Sequence, residues 1–525
     1  MPEKSRSRAG PRRIPTASQL SILLALAWSG LAARDNRPPV TEGPPTVAPS
    51  PAYVGDTLRF QIKAADPDGD ALTYSWNFGD GTGAHSSGGL PEAFHAFAAP
   101  GRYPVIVRIR DSISAVTSSL LVAVHLRGTP RQPSASSPVI LDSIRNRIWC
   151  VNPDNHSVSA VDGSTLALLF EIPTGNSPQT LAQAADGNLW IANKASSTLT
   201  VLSPEGKVME TLQLPYGSRP HGIAFGPDGQ TGYVTLEGSG KLLKLDPVNR
   251  RTVTELALGP TPRGLAITAD GKRILVTRFI SPEDHAEVWE VDAEAFAKVR
   301  TISLAEDHSP DDETGGAGIL NYLNALVISP TGREAILPAK KDNIRRGLLR
   351  SGTPLTFEST VRTVAARIDL SSNTEDPSTR NDFDNASQAA AVAFSPLGDM
   401  YFVALQGSNG VQVLDPYNNG AVLERIPDVG AAPRGLLVDG RSKRLYVHNF
   451  MGRSLAVYDI STTLANVKYE SRLLQIVSTV AKEALAPEVL RGKRIFYNAA
   501  DSNMSRDAYI SCAACHLDGG GDGRV

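Results

Sequence analysis

A 42-residue spacing constrains this chain more than any other feature. Ala185-Asp186-Gly187, Pro227-Asp228-Gly229 and Ala269-Asp270-Gly271 recur at that interval, and Pro396-Leu397-Gly398 and Val438-Asp439-Gly440 repeat it later. Each turn follows a short apolar run, such as Gly264-Leu265-Ala266-Ile267, and precedes another, such as Ile274-Leu275-Val276-Thr277. A third run ends in Asp, as in Val288-Trp289-Glu290-Val291-Asp292, and a fourth, such as Val299-Arg300-Thr301-Ile302-Ser303-Leu304, completes the unit. A lone four-stranded sheet of this kind cannot bury both faces, whereas radial packing of copies can. The pattern predicts a mainly β chain with a seven-bladed propeller over residues 138–480, six or eight blades if the irregular fifth unit is divided differently. The 45 Gly and 37 Pro of the 525 residues suit so many turns.

The repeats resemble the YVTN-type propeller family. Chain direction puts the Asp-Gly turns on a bottom face and the residues opening each first strand at a top mouth. Gln179, His221, Arg263, Asn324 and Arg434 are expected to ring that mouth. Two long insertions, Asp307 to Tyr322 and Lys340 to Arg362, are expected on the same face. The second is basic through Lys340, Lys341, Arg345, Arg346 and Arg350, with Asp311-Asp312-Glu313 offsetting part of that charge. His221, Arg263, Arg434, Lys340 and Lys341 therefore form a candidate face for a small-molecule, anionic or protein ligand. The bland alternative is that Pro-Arg-Gly is repeat grammar and its cations solvate the pore.

Residues 51–126 form a second β region. Asp66-Pro67-Asp68-Gly69-Asp70 is a turn signal, and Trp76-Asn77-Phe78-Gly79-Asp80-Gly81 predicts a strand with Trp76 and Phe78 on one face before a tight turn. With Gly101-Arg102-Tyr103-Pro104-Val105, these residues resemble the PKD domain, an immunoglobulin-like sandwich used as a spacer or adhesion module. The Asp-rich turn is a calcium candidate, though Asp side chains capping their own turn explain it more simply. Residues 34–50 and 127–137 read as linkers.

Residues 1–33 read as an export signal: Lys4, Arg6, Arg8, Arg12 and Arg13 precede the apolar run Leu20 to Trp28, and Gly30-Leu31-Ala32-Ala33 offers small residues for cleavage. A periplasmic or extracellular location follows, with no integral membrane segment after cleavage. The formal net charge of −2 gives no global argument for nucleic acid. Three cysteines exclude a disulfide framework, and Cys150, inside the apolar run Ile148-Trp149-Cys150-Val151, reads as a buried thiol.

The other two cysteines stand in Cys512-Ala513-Ala514-Cys515-His516, within a segment spanning 484–525. Two thiols on one helical turn followed directly by His is an attachment pattern for haem c, Cys512 and Cys515 carrying it and His516 serving as axial iron ligand. A redox disulfide or half a zinc site are the alternatives, the latter with Asp518 as the close fourth ligand. The run from Leu490-Arg491-Gly492-Lys493-Arg494-Ile495-Phe496-Tyr497 to the CxxCH resembles the start of the bacterial di-haem cytochrome c peroxidase family, which includes the methylamine-utilisation type. The resemblance implies that Gly492 and Phe496 pack against a later helix. Only nine residues follow His516, with no second CxxCH. The expectation is a piece of a longer protein whose parent is a peroxidase-like oxidoreductase, or else a haem-bearing remnant.

Two functions follow from this reading. One is an exported haem protein of peroxidase or electron-transfer type that meets a redox partner. The other is a non-enzymatic propeller/PKD binding or adhesion protein with a remnant haem site.

Overall fold

The computed structural model describes residues 35–311, 315–343 and 360–520. The expected export signal lies outside the described residues, as do Asp312, Glu313, Arg345, Arg346 and Arg350.

Seven sheets succeed one another around a channel. Blade one comprises Val139–Asp142, Arg147–Asn152, Ser157–Asp162 and Leu168–Pro173, and blades two, three, four, six and seven keep the same up-and-down order. Blade two begins at Pro178–Gln183, blade three at Pro220–Phe225, blade four at Pro262–Ile267, blade six at Ala389–Phe394 and blade seven at Pro433–Asp439. Inner strands are buried along their whole length, as in Leu189–Asn193, while outer strands such as Val208–Gln213 are largely exposed. Burial on both faces is what turns these inner strands into continuous apolar runs. The ring closes without a shared strand: Val139, Ile148 and Cys150 of blade one share a core with Tyr446, Leu455 and Val457 of blade seven, and Arg444 donating to the Gly163 carbonyl and Arg453 pairing with Asp154 tie the two blades together. Cys150 is fully buried, and that burial pushes its thiol up to about 12.

In every blade but the second, whose third strand is Thr198–Leu202, the Asp that ends the third strand caps the following turn. Asp246 accepts from the amides of Val248 and Asn249 (3.0 and 3.1 Å), and Asp162, Asp292, Asp369 and Asp459 do the same work in their own blades. Because these bonds are stronger to the ionised carboxylate than to the neutral acid, Asp246 is held below its ordinary range, first by its side-chain bond from Asn249.

Blade five departs from the pattern. Ile319–Asn321 and Val327–Ile328 both pair with Glu334–Asp342, and Thr374–Glu375 and Asn381–Phe383 both pair with Val361–Asp369. Its outer strand is thus split, which is why no single fourth run is visible in the sequence.

Both stretches expected to be linkers contribute strands. Val40–Thr41 pairs with Ala64–Ala65, and Thr46–Ala48 pairs with Leu58–Gln61, so these two pieces of 34–50 belong to the PKD sandwich. These pieces are too short and too Pro-interrupted to show a period. Within 127–137, Ser134–Ala135 pairs with Pro262–Ile267, and Ser137 bridges Leu181, so the segment climbs the channel from below.

In the PKD module Trp76 and Phe78 are buried with Phe60 and Phe97, and Asn77 faces out. Asp66 accepts from the amides of Asp68 and Asp70 through Oδ1 and Arg37 pairs with Asp68, so the Asp-rich turn is capped largely by its own Asp side chains, while Asp66 Oδ2 is buried without a hydrogen-bond partner among the described residues. The module docks on the bottom face through Arg102. Its guanidinium reaches Asp415 at 2.6 Å, Asp399 at 3.5 Å and the Tyr469 hydroxyl at 2.8 Å.

After blade seven, which carries the short helix α1 (Ser461–Leu464), the chain crosses the top face as α2 (Pro487–Tyr497) and α3 (Cys512–Cys515). Pro487 opens α2, where its missing N–H costs nothing. Among the described residues no helix is long and apolar enough to cross a membrane.

Candidate functional site: the top of the propeller and the CxxCH turn

The C-terminal segment is tied to almost every blade. Lys493 pairs with Asp154 of blade one at 2.6 Å, and Arg494 donates to the Met451 carbonyl of blade seven. The Ala499 amide donates to the Gly407 carbonyl at 2.8 Å, and Asn409 donates to Asn498 at 3.0 Å, both on blade six. Around α3, Gln388 donates to the Ala513 carbonyl and the Tyr322 hydroxyl donates to the Cys515 carbonyl. Phe496, Tyr497, Ala513 and Leu517 complete an apolar cluster with Ala432, Phe450 and Met451.

The last turn of this segment puts a carboxylate into the channel mouth. Asp518 accepts from Lys194 at 2.8 Å and from Arg263 at 2.6 Å, and the same two cations hold Glu237 at 3.0 and 2.8 Å. Arg263 also lies 3.2 Å from the ring centre of Phe279 and donates to Asn324. Burial alone would raise the Asp518 and Glu237 carboxyls, yet Arg263 and Lys194 outweigh it and hold both below the ordinary range. Burial likewise pulls Lys194 down, only partly offset by Asp518 and Glu237.

This cluster revises the expected binding face. Gln179, His221, Arg263, Asn324 and Arg434 do meet at the mouth, but His221 and Arg263 are buried beneath the C-terminal segment, at 3% and 1% exposure. Lys340 and Lys341 are not loop residues: they lie in the strand Glu334–Asp342 and are equally buried. Lys340 pairs with Asp342 and sits 4.1 Å from the Tyr322 ring centre, while Lys341 is shared by Asp307 and Asp382. The strand extends further than its apolar residues suggest because these carboxylates neutralise its last two cations. Lys194 and Glu237 went unnoticed in the sequence. Each occupies the position just after a second strand, 43 residues apart, so their shared place in the repeat was the available signal.

The CxxCH forms one helical turn with two unlike sides. Ala513 and Ala514 are buried against the propeller, whereas Cys512 is exposed and Cys515 partly so. His516 follows with its amide donating to the Cys512 carbonyl at 3.0 Å, and its Nδ1 lies 2.9 Å from the Gly520 carbonyl. A proton on Nδ1 donated to that carbonyl leaves Nε2 as the lone-pair nitrogen, the tautomer an axial ligand needs. An exposed Cys512 and a partly exposed Cys515 on one turn, with the His516 Nε2 beside them, fit a covalently attached haem. The zinc alternative loses its fourth ligand, since the Asp518 carboxylate is engaged by Lys194 and Arg263. Among the described residues no three His, Cys, Asp or Glu side chains converge as a metal cluster.

Phe496 meets the short later helix α3 through the cluster that holds Ala513, whereas Gly492 does not pack closely on any element among the described residues. Phe496 also leans on the propeller, while a methyl group at Gly492 would touch nothing within 4 Å. Their face borders a cavity of about 840 Å³ between α2 and the propeller, which Lys194, Arg219, Arg434 and Phe450 also line. A second cavity of about 840 Å³ fills the channel beneath the mouth.

Comparison with known proteins places the modules. Residues 45–124 match the PKD domain, and residues 133–238 match the SMP-30/gluconolactonase/LRE-like region, a β-propeller family. Virginiamycin B lyase of Nocardia farcinica is 29% identical over 141 residues, 27% of this chain and 48% of the lyase, so the chain spans about half the length of that relative. Among solved structures, hydrazine synthase of Kuenenia stuttgartiensis aligns with a TM-score of 0.52 at 17% identity, over 64% of this chain and 99% of that one. Virginiamycin B lyase of Staphylococcus aureus aligns with a TM-score of 0.42 at 13% identity, over 61% of this chain and 96% of that one. At these identities the likeness is one of fold. The chain is mainly β, with a PKD domain and a β-propeller.

Proposed function

We infer that this chain is an exported c-type haem protein of electron-transfer or peroxidase-like type, in which the propeller is the platform that seats the haem segment. The observation that carries this reading is the two-sided CxxCH turn: its alanines are buried on the propeller while its thiols and His516 stay accessible. Cys512 and Cys515 would hold the haem and His516 would bind its iron through Nε2. When bound, the group supplies a one-electron couple. The chain's own residues do the rest. Tyr322 and Gln388 fix the carbonyls of the turn, and Asp518 anchors the loop that carries Gly520, the partner of His516. The resemblance of this segment to di-haem peroxidases supports the class, and the PKD module supports export.

The test is a haem stain on denatured protein made with a cytochrome c maturation system. Covalent haem should be present and should vanish when Cys512 and Cys515 are both replaced by Ser. Unstained protein, or a stain that survives that replacement, refutes the reading. A second reading, a propeller that binds a small molecule without haem, draws on the lyase likeness and the channel cavity. It predicts unchanged ligand binding in the C512S/C515S protein.

A further inference from the structure

The mouth residues that were expected to face outward also face inward. The channel cavity runs from His221, Gln179, Asn324 and Arg434 at the top to Pro330, Pro396 and Arg441 at the bottom turns. Its two ends differ in chemistry. Between the ends the walls are mostly apolar: Ala325, Val327, Ala393, Leu437 and Val438 lie on or beside innermost strands yet are only partly buried, and the Ser136, Ser137 and Thr180 hydroxyls that also line the space are engaged by backbone groups.

The upper end is polar and unsatisfied. His221 is 3% exposed, and neither ring nitrogen has a hydrogen-bond partner. Leaving both nitrogens of a buried imidazole unpaired is costly, so their partner is expected to come from the cavity. Arg434 borders the same space. It donates to Gln179 and lies 5.4 Å from the Phe450 ring centre, but among the described residues it makes no ion pair. The carboxylate above, Asp518, is already held by Lys194 and Arg263, and Asp439 at the lower end caps its own turn. The lower end also carries a cation, Arg441, but it is exposed to solvent. The half-buried Arg434 beside a buried imidazole makes the upper end the place for the single anionic head of an elongated apolar molecule.

We propose that the propeller channel is a binding site for a monoanionic amphiphile of the fatty-acid class, its carboxylate at Arg434 and His221 and its chain along Ala325 and Val327. The site is independent of haem attachment.

Calorimetric titration of the full chain with decanoate, decanol and sulfate tests it. Decanoate is expected to bind at one site per chain and to raise the melting temperature, and decanol and sulfate each to bind at least tenfold more weakly. Arg434→Met, which removes the cation, and Ala325→Leu, which fills the tube, should each weaken decanoate at least tenfold. Arg219→Met, beside the outer cavity only, should leave it unchanged. Absence of saturable decanoate binding to the unmodified chain overturns the proposal and leaves water as the occupant. Sulfate matching decanoate, or Arg219→Met weakening binding as much as Ala325→Leu, also overturns it by moving the site to the outer cavity.

Discussion

At the bottom of the propeller the PKD module inserts a cation between carboxylates, and at the top the C-terminal segment inserts a carboxylate between cations. Arg102 sits between Asp415 and Asp399, and Asp518 sits between Lys194 and Arg263. The surroundings separate the two joints. Arg102 is 9% exposed and gains Asn466 and Tyr469 as further partners, whereas the Asp518 carboxylate is 29% exposed and borders the outer cavity. A buried charge with every partner supplied makes a fixed joint, and one beside open space leaves room for ligands. The bottom joint sets the posture of the molecule, and the top is where chemistry is expected.

The largest effect should come from breaking the bottom joint. Arg102→Ala leaves Asp415 and Asp399 facing each other without their cation, a change worth about 3–5 kcal/mol for a buried pair. Calorimetry should then show the PKD and propeller transitions separate; an unchanged single transition would mean the joint is not what couples them.

Acid should act next. Burial, reinforced by Arg434, drops the His448 imidazole to about 3 from an ordinary 6.5, and burial with Arg263 and Lys194 depresses His221 as well. Both are neutral in the folded chain and take up protons on unfolding, so stability rises with pH in this window. It should fall as pH drops below about 6.5 and keep falling toward about 3, by up to ~1.4 kcal/mol per unit for each histidine. His448→Gln should flatten the dependence of melting temperature between pH 7 and 5; an equal slope would assign the effect elsewhere.

The top joint should be weaker. Asp518→Asn is expected to cost about 1 kcal/mol, because water reaches the carboxylate and Glu237 still serves both cations. Its clearer sign is faster proteolysis within 499–511 at unchanged propeller stability. A cost matching that of Arg102→Ala would erase the contrast between the two joints.

What was legible in the sequence follows the same division. The blades were readable because the strand–turn–strand unit recurs, and the Asp at most of the third-strand ends was visible before its capping role was. Two pieces of the N-terminal linker proved to be PKD strands, unseen because two- and three-residue strands between prolines carry no period. The ring of mouth residues was legible by position, but its burial was not. Covering it depends on Asp518, a single acid from a segment more than 250 residues downstream of Arg263, and nothing local encodes that contact. Lys340 and Lys341 read as a basic loop because their neutralising partners, Asp307 and Asp382, lie on other parts of blade five.

The smallest effect belongs to the repeat itself. Asp246→Asn keeps one acceptor for the turn and should cost about 0.5 kcal/mol, visible as a small shift in urea midpoint.

The account rests most heavily on Cys512, Cys515 and His516. The intact mass of the mature protein, exported from cells with a cytochrome c maturation system, tests that claim directly. A gain of one haem per chain, lost in the C512S/C515S protein, is the predicted result. An unmodified mass under conditions that load a control c-type cytochrome would contradict it.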